Sequence, residues 1–413
     1  MAGKPEALFV CHRIPYPPDK GDKIRSWQLF RRLTDHFDVH LAAFVDDPAD
    51  WQHEEMLRSM TASLTLGPMR RSLATVRGLK GFLTGQALSI PYYSDKRMWE
   101  RIREISTRNL AVEVAFSSTA AQYLGLLDTD RNRSFGNRPR IVDLCDADSE
   151  KWRAYAREKS FPMSAIYGRE AKKLAVVEAQ IIEAADAAFA VSAEEARMLQ
   201  KIAGADASVG WVANGVDTEY FSQTRSSGRA QESDGASIVF TGAMDYWANV
   251  EAVQWFAAEI WPTIQREIPS ATFTIVGARP TKEVVSLAEQ SGIVVTGTVP
   301  DVRPYLWGAD LAIAPMRIAR GVQNKVLEAM ASETALVATH AAIEGVALTA
   351  NDHCAAADDA DDFARGVIEL LTNHQKRDGF ARRGRSFVEE HYRWETCLKR
   401  FDDILENAGA LST

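Results

Sequence analysis

The sequence predicts an α/β chain made of two parallel sheets wrapped by helices. Short β-type runs alternate with helix-period segments from one end to the other, the pattern of strand–helix–strand crossovers. The rhythm restarts after the polar, turn-rich stretch SQTRSSGRAQESDG, and 413 residues exceed what one hydrophobic core usually supports. Two Rossmann-like domains of similar size are therefore expected.

In the first half the expected strands are Ala7 to Cys11, Val39 to Phe44, Val112 to Phe116, Arg140 to Leu144, Ala187 to Val191 and Ser208 to Val212. Tyr167 to Ala185 has helical spacing, and Ser192 with Glu195 three residues on reads as a capping box opening another helix. In the second half Ser237 to Thr241, Thr272 to Val276, Ile293 to Thr296, Asp310 to Ala314 and Ala335 to Ala338 read as strands. Val250 to Ile268, Val284 to Gln290, Gln323 to Ala331 and most of Asp361 to His391 read as helices. The expected division is 1–221 for a first Rossmann-like domain, 222–235 for a linker, 236–390 for a second Rossmann-like domain and 391–413 for a C-terminal helix packing back on the first domain.

Composition narrows the function. A formal charge of -8 argues against a surface built to neutralise nucleic-acid phosphates. Four cysteines stand far apart without a C-x-x-C pair, so neither a disulfide framework nor a zinc knuckle is suggested and a reducing cytoplasm is expected. Residues Met1 to Glu6 lack the zones of a signal peptide. No apolar run approaches the ~20 residues that span a bilayer, so any membrane contact is expected to be peripheral.

Two strand-to-helix turns carry the chemistry. The first strand leads through HRIPYPPDKGDKIRS into a helix with Ile24, Trp27, Leu29, Phe30 and Leu33 on its apolar face. Ligands of open parallel sheets bind beyond the strand carboxyl ends, and helix starts attract anions; Gly21 lets a substrate approach the backbone. The spacing is not G-x-G-x-x-G. An ordinary connecting loop is the competing reading.

The sharper turn is AIAPMRIARGVQNKVLEAMAS, where Arg317, Arg320 and Lys325 stand against no acid between Met316 and Leu327. Such a cluster at a helix start suits a diphosphate. Lys325 and Glu328 lie three apart on one helix face, so the carboxylate is placed to accept from ribose hydroxyls while the ammonium meets phosphate. A surface ion pair is the alternative.

This segment resembles the donor-binding motif of glycosyltransferase family 4, in which a glycine loop and a Glu in an E-A-M-A-like helix hold the nucleotide sugar. VANGVDTEYF resembles the loop closing the family's first domain, VFTGAMDYWANVEAVQWF the opening of its second, and TGTVPDVRPYLWGADLAIAP the elements before the donor loop. Within the family the chain looks most like sugar transferases of bacterial exopolysaccharide and exosortase (PEP-CTERM) systems.

The resemblance implies the GT-B fold and a retaining, metal-independent transfer from a nucleotide-sugar donor to a glycan or lipid-linked acceptor. No cofactor is implied. It gives the acceptor to the first domain and the donor to the second; together with the reading of the residues it places donor binding at Gly21, Gly242, Arg317, Gly321, Asn324, Lys325 and Glu328, and catalysis at Lys325, Arg320 and Asp146. Two positions depart from the family: its first donor-loop glutamate is replaced by Arg320, and its Arg after the second domain's first strand is absent, because Ala243 and Met244 follow Gly242. Lys325, with Arg317 or Arg320, is inferred to supply the missing positive charge.

Asp143, Asp146 and Asp148 in VDLCDADSEKW offer a D-x-D metal reading, set against ordinary helix capping. At a strand end, Asp146 is also placed to bond a sugar hydroxyl or receive the acceptor's proton. Between Pro68 and Ser94, Arg70, Arg71, Arg77 and Lys80 are interleaved with Leu73, Val76, Leu79, Phe82 and Leu83, with no acid. That pattern fits either docking on anionic lipid or a helix packed by its apolar face onto the domain. The rival functions are a nucleotide-sugar epimerase of the same architecture and a degenerate, non-catalytic binding protein.

Overall fold

The computed structural model describes residues 3–127, 138–222, 236–319 and 321–411. It divides into two compact units, Met1–Ala213 with Leu398–Thr413, and Asn214–Cys397. Strand pairing among the described residues is parallel in both sheets.

The first unit holds β1 (Glu6–Cys11), β2 (Asp38–Val45), β3 (Ser63–Pro68), β4 (Leu110–Phe116), β5 (Arg140–Cys145), β6 (Ala187–Ala190) and β7 (Gly210–Trp211), in the order β3-β2-β1-β4-β5-β6-β7. Central strands such as β1 are buried along almost their whole length, as expected where helices cover both faces of a sheet. The edge strand β3 is absent from the sequence expectation. Its SLTLGP alternates polar and apolar residues, ends in Gly-Pro and stays half-buried, consistent with an edge position where proline is tolerated.

The second unit repeats the plan with β8 (Ser237–Thr241), β9 (Thr272–Val276), β10 (Ile293–Gly297), β11 (Leu311–Ala314), β12 (Leu336–Ala338) and β13 (Ala355–Ala356), ordered β10-β9-β8-β11-β12-β13. Phe240, Phe256, Trp261, Phe273 and Phe363 are buried in its core. The helix expected over Val250 to Ile268 runs as Trp247–Trp255, a π-turn Phe256–Ile260 and Trp261–Glu267. Pro262 lacks the N–H and crowds the preceding turn, and the widened turn accommodates it. The long helical region after Asp361 is two helices, Ala360–Thr372 and His374–His391, the second capped by Asn373 accepting from the Lys376 N–H.

The unit boundaries differ from the division read in the sequence. Of the expected linker only Ser222 is among the described residues. Asn214–Phe221 group with the second unit: the Val216 N–H donates to the Tyr392 carbonyl, Arg303 to the Tyr220 carbonyl and Trp307 to the Phe221 carbonyl. The end of helix Trp394–Asn407 belongs to the first unit. There Phe401 meets Phe189 with ring centroids 5.6 Å apart, and Arg32 forks onto the Asp402 carboxylate.

Candidate functional site

In each sheet the strand order reverses beside the first strand of the unit, between β1 and β4 and between β8 and β11. Ligands of open α/β sheets bind outside the carboxyl ends at such a point.

In the second unit Gly242 directly follows β8 and Gly277 directly follows its neighbour β9. A Cβ on Gly277 would sit 1.6 Å from the Gly242 carbonyl oxygen, and one on Gly242 2.7 Å from Asn249 Nδ2 and 3.3 Å from Lys325 Nζ. Both positions therefore need glycine, and what fills the space before Gly242 is Asn249 and Lys325. The Asn249 Nδ2 donates to the Ala243 carbonyl at 2.9 Å, leaving Oδ1 to accept from the Lys325 ammonium at 2.5 Å. That ammonium also lies 4.2 Å from the Phe240 ring centroid and 3.6 Å from Met316 Sδ.

Burial pulls the Lys325 pKa down to about 7, opposed by the nearby Glu328 charge. Burial likewise pushes Glu328 up to about 7, opposed by Lys325. Both side chains keep partial solvent exposure. The two do not form an ion pair, and among the described residues the Glu328 carboxylate accepts no hydrogen bond. A paired surface couple thus does not account for them. Both charged forms are disfavoured by their surroundings, the condition in which a polar ligand is most strongly welcomed.

The helix carrying them, Asn324–Ala331, opens after Gln323 without a side-chain cap, and its first turn holds no acid. Its first N–H groups thus present the positive end of the helix dipole. Asn324 Oδ1 accepts from Asn214 Nδ2 at 3.3 Å. Ahead of it Gly321 adopts φ 61°, a left-handed conformation that favours glycine. Its carbonyl oxygen lies 2.2 Å from where a Cβ of Gly345 would stand, so that glycine is also required.

Of the other cations assigned to the donor loop, Arg317 is committed elsewhere. Its guanidinium is ion-paired with Glu251 and lies 5.5 Å from the Trp255 ring centroid, half exposed. Arg320 lies outside the described residues.

In the first unit, His12 follows β1, stacks on Phe116 and approaches the Asp22 carboxylate at 3.5 Å. Burial raises the Asp22 pKa, but the His12 bond and the Arg13 charge outweigh it and hold the carboxyl well below the usual range. Gly21 is the exposed first residue of helix Gly21–His36. The buried face of that helix begins with charged residues that apolar periodicity does not reveal. Lys23 pairs with Asp50 at 2.6 Å, and Arg25 pairs with Asp143 at 2.6 Å while donating to the carbonyls of Val212 and Ala190. Ile24 and Trp27, expected on the apolar face, are only half-buried.

The D-x-D region resolves into separate roles. Asp143 is a buried partner of Arg25. Asp148 accepts from Ser118 Oγ at 3.0 Å. Neither aspartate caps helix Asp148–Glu158, whose N-cap residue is Ala147. Glu178 instead accepts from the Ser149 N–H and hydroxyl, and Glu195, next to the Ser192 cap, accepts from the Ala147 N–H. Asp146 is half-buried at the end of β5; its carboxylate accepts no hydrogen bond among the described residues, and burial raises its pKa against the pull of Lys151. Among the described residues, no three His, Cys, Asp or Glu side chains are grouped to hold a metal ion.

Gly242, Lys325 and Glu328 are thus brought together, Gly321 and Asn324 border them, and Gly21 and Asp146 stand at the corresponding edge of the other unit's sheet. Sequence reading missed Asn249, which holds Lys325, and Gly277. A glycine directly after a strand, as in TIVGARP, was the available signal for the latter.

Residues 235–373 match the family described as glycosyl transferases group 1. Solved structures superpose along nearly the whole chain. Sucrose-phosphate synthase from Thermosynechococcus elongatus is 16% identical, with 99% of this chain and 100% of that chain covered and a TM-score of 0.72. Anabaena HepE in complex with UDP and glucose is 12% identical, with 97% and 99% covered and a TM-score of 0.68. The fold is GT-B.

A curated relative of this GT-B chain, an uncharacterized 44.6 kDa protein in the cps region of Klebsiella pneumoniae, is 23% identical over 164 residues, 38% of this chain and 42% of that protein. The match thus spans less than half of the relative's length. The group 1 segment of the GT-B chain contains the whole cluster of Gly242, Asn249, Gly277, Lys325 and Glu328.

Proposed function

We propose that the protein is a glycosyltransferase that takes a sugar from a nucleotide-sugar donor, held by the second unit, and delivers it to a glycan or lipid-linked acceptor. The observation that carries this reading is the Lys325 ammonium, half-buried before Gly242, beside a helix start with no side-chain cap. An anion there meets the Lys325 ammonium and a set of N–H donors. Glu328, one turn on and without a partner among the described residues, takes the ribose hydroxyls. Asp146 receives the acceptor's proton: burial raises its pKa above the ordinary carboxylate value, the direction that makes a carboxylate a stronger base.

The reading extends to retention of anomeric configuration, to cell-surface or exopolysaccharide synthesis and to a cytoplasmic site of action. The UDP complex of HepE supports testing UDP-sugars first. A thermal-shift screen of nucleotide sugars, followed by product analysis, tests the reading. Release of nucleotide with a glycosylated product supports it, an epimerised donor supports the rival enzyme, and absence of binding to every donor refutes both.

Two further results are expected. Glu328→Ala weakens nucleotide-sugar binding by about one to two decades, the loss of a hydrogen bond to a charged group, while the melting temperature of the free protein is retained. Unchanged affinity in a titration would remove Glu328 from the site. Turnover survives EDTA, because the positive charge assigned to the diphosphate belongs to Lys325. Loss on chelation, restored by Mn²⁺, would turn attention to Asp146 and Asp148.

A further inference from the structure

Helix Arg71–Thr84 is built with its large apolar residues on the outside. Its buried residues are Ala74, Gly78 and Gly81, and Cβ atoms on the two glycines would press within 3.3 Å of the Leu88 carbonyl and 3.1 Å of the Leu88 side chain. Opposite this inner stripe, at i, i+3 and i+7, stand Val76, Leu79 and Leu83, exposed by 58%, 55% and 90%, with Leu73 flanking them at 54%. A globular helix normally shows the reverse arrangement. The alternative of a helix packed by its apolar face is therefore excluded.

The helix is held in place by other means. Two interior glycines weaken its intrinsic propensity, and helix Met163–Ala184 clamps its end. Arg169 donates to the carbonyls of Gly81 and Gln86 and lies over the Phe82 ring, while Glu170 accepts from the N–H groups of Leu88 and Ser89 and from the Ser89 hydroxyl. Arg77 is tied to Asp95. Arg70, Arg71 and Lys80 remain exposed around the apolar face, and no acid occurs between Pro68 and Ser94.

We propose that this face docks on the surface of an anionic lipid bilayer, with Val76, Leu79 and Leu83 entering the headgroup boundary and Arg70, Arg71 and Lys80 meeting lipid phosphates. Among the described residues no helix is long and apolar enough to cross a membrane, and an amphipathic face with a basic rim suits interfacial binding instead. A second copy of the chain is disfavoured as occupant, because the basic rims would face each other across the contact. The helix directly follows β3, whose parallel direction brings its start to the carboxyl edge of the sheet where His12 and Asp146 lie. A docked chain would thus hold that edge near an acceptor carried in the lipid. The docking itself does not rest on the transferase reading, since its test uses no sugar.

The test is flotation of the purified chain with vesicles of phosphatidylcholine alone or mixed with phosphatidylglycerol, at low and high salt. Expected are binding to the anionic vesicles, at least tenfold weaker binding to the neutral ones, and loss in high salt. Val76→Glu/Leu83→Glu, at exposed positions, should lower anionic binding at least tenfold with an unchanged melting temperature. Arg70→Gln/Arg71→Gln/Lys80→Gln should remove the preference for phosphatidylglycerol. The proposal is overturned if the wild-type chain stays with the unbound fraction, if the double variant floats as well as the wild type, or if light scattering shows self-association that the double variant abolishes without any vesicle binding.

Discussion

Lys325→Ala should lower kcat by about a hundredfold or more at saturating donor, the scale seen when one preorganised electrostatic donor is removed. As the glycosidic bond breaks, negative charge gathers on the leaving nucleotide diphosphate. A cation fixed beforehand by Asn249 Oδ1, against Phe240 and Met316, stabilises that charge more than it stabilises the intact donor. Were Lys325 only a helical partner of Glu328, the loss would stay within ~0.2 to 0.5 kcal/mol. Arg317→Ala should change little, because Glu251 already engages that guanidinium. Should Lys325→Ala remain near wild type while Arg320→Ala collapses, the site survives with a different cation; if all three variants stay active, the cationic donor loop is refuted.

The same residue sets a pH signature. With its pKa pulled down to about 7, Lys325 loses its charge as pH rises through neutrality, and nucleotide affinity should fall on that side. Glu328, pushed up to about 7, gains a proton as pH falls, so affinity should also decline on the acid side. Asn249, Met316 and Phe240 around the ammonium do not titrate. Lys325→Arg should flatten the alkaline limb and Glu328→Gln the acid limb in calorimetric titrations. A profile unchanged by both substitutions would separate these residues from the donor.

Arg25→Ala should destabilise the first unit by about 3 to 5 kcal/mol, the cost of leaving a buried charge without its partner. For a unit of this size that corresponds to a fall of roughly 10 °C in melting temperature. The reason is geometric. Arg25 and Asp143 are both buried, and the guanidinium also serves the Val212 and Ala190 carbonyls, joining the first helix to the ends of β5 and β6. Removing it strands a carboxylate whose pKa burial already raises, together with two carbonyls. Arg25→Lys should recover little, since an ammonium cannot fork across all three acceptors. A loss below about 1 kcal/mol in denaturant titration would show that water reaches the gap and replaces the arginine.

Several features of this protein are settled by local pattern alone. The buried runs ALFVC, IVDLC and SIVFT are strands because continuous short apolar segments between helix-period stretches suit a sheet covered on both faces. The placing of Gly321 just ahead of the E-A-M-A helix and of Lys325 in its first turn is likewise a matter of spacing, as is the recurrence of one plan in each half. What local pattern could not assign was the choice of partner. Only the folded chain gives Lys325 to Asn249, Arg317 to Glu251 and Asp143 to Arg25, because such pairings join residues 66 to 118 positions apart. Buried charges at the start of helix Gly21–His36 carry no apolar period to betray them, and the half-buried edge strand β3 reads much like a loop. The basic amphipathic stretch fitted both a packed helix and a docking face. Its side was decided by tertiary structure, because two glycines and an alanine let the helix lie close against the chain with its small stripe and left the leucines facing outward.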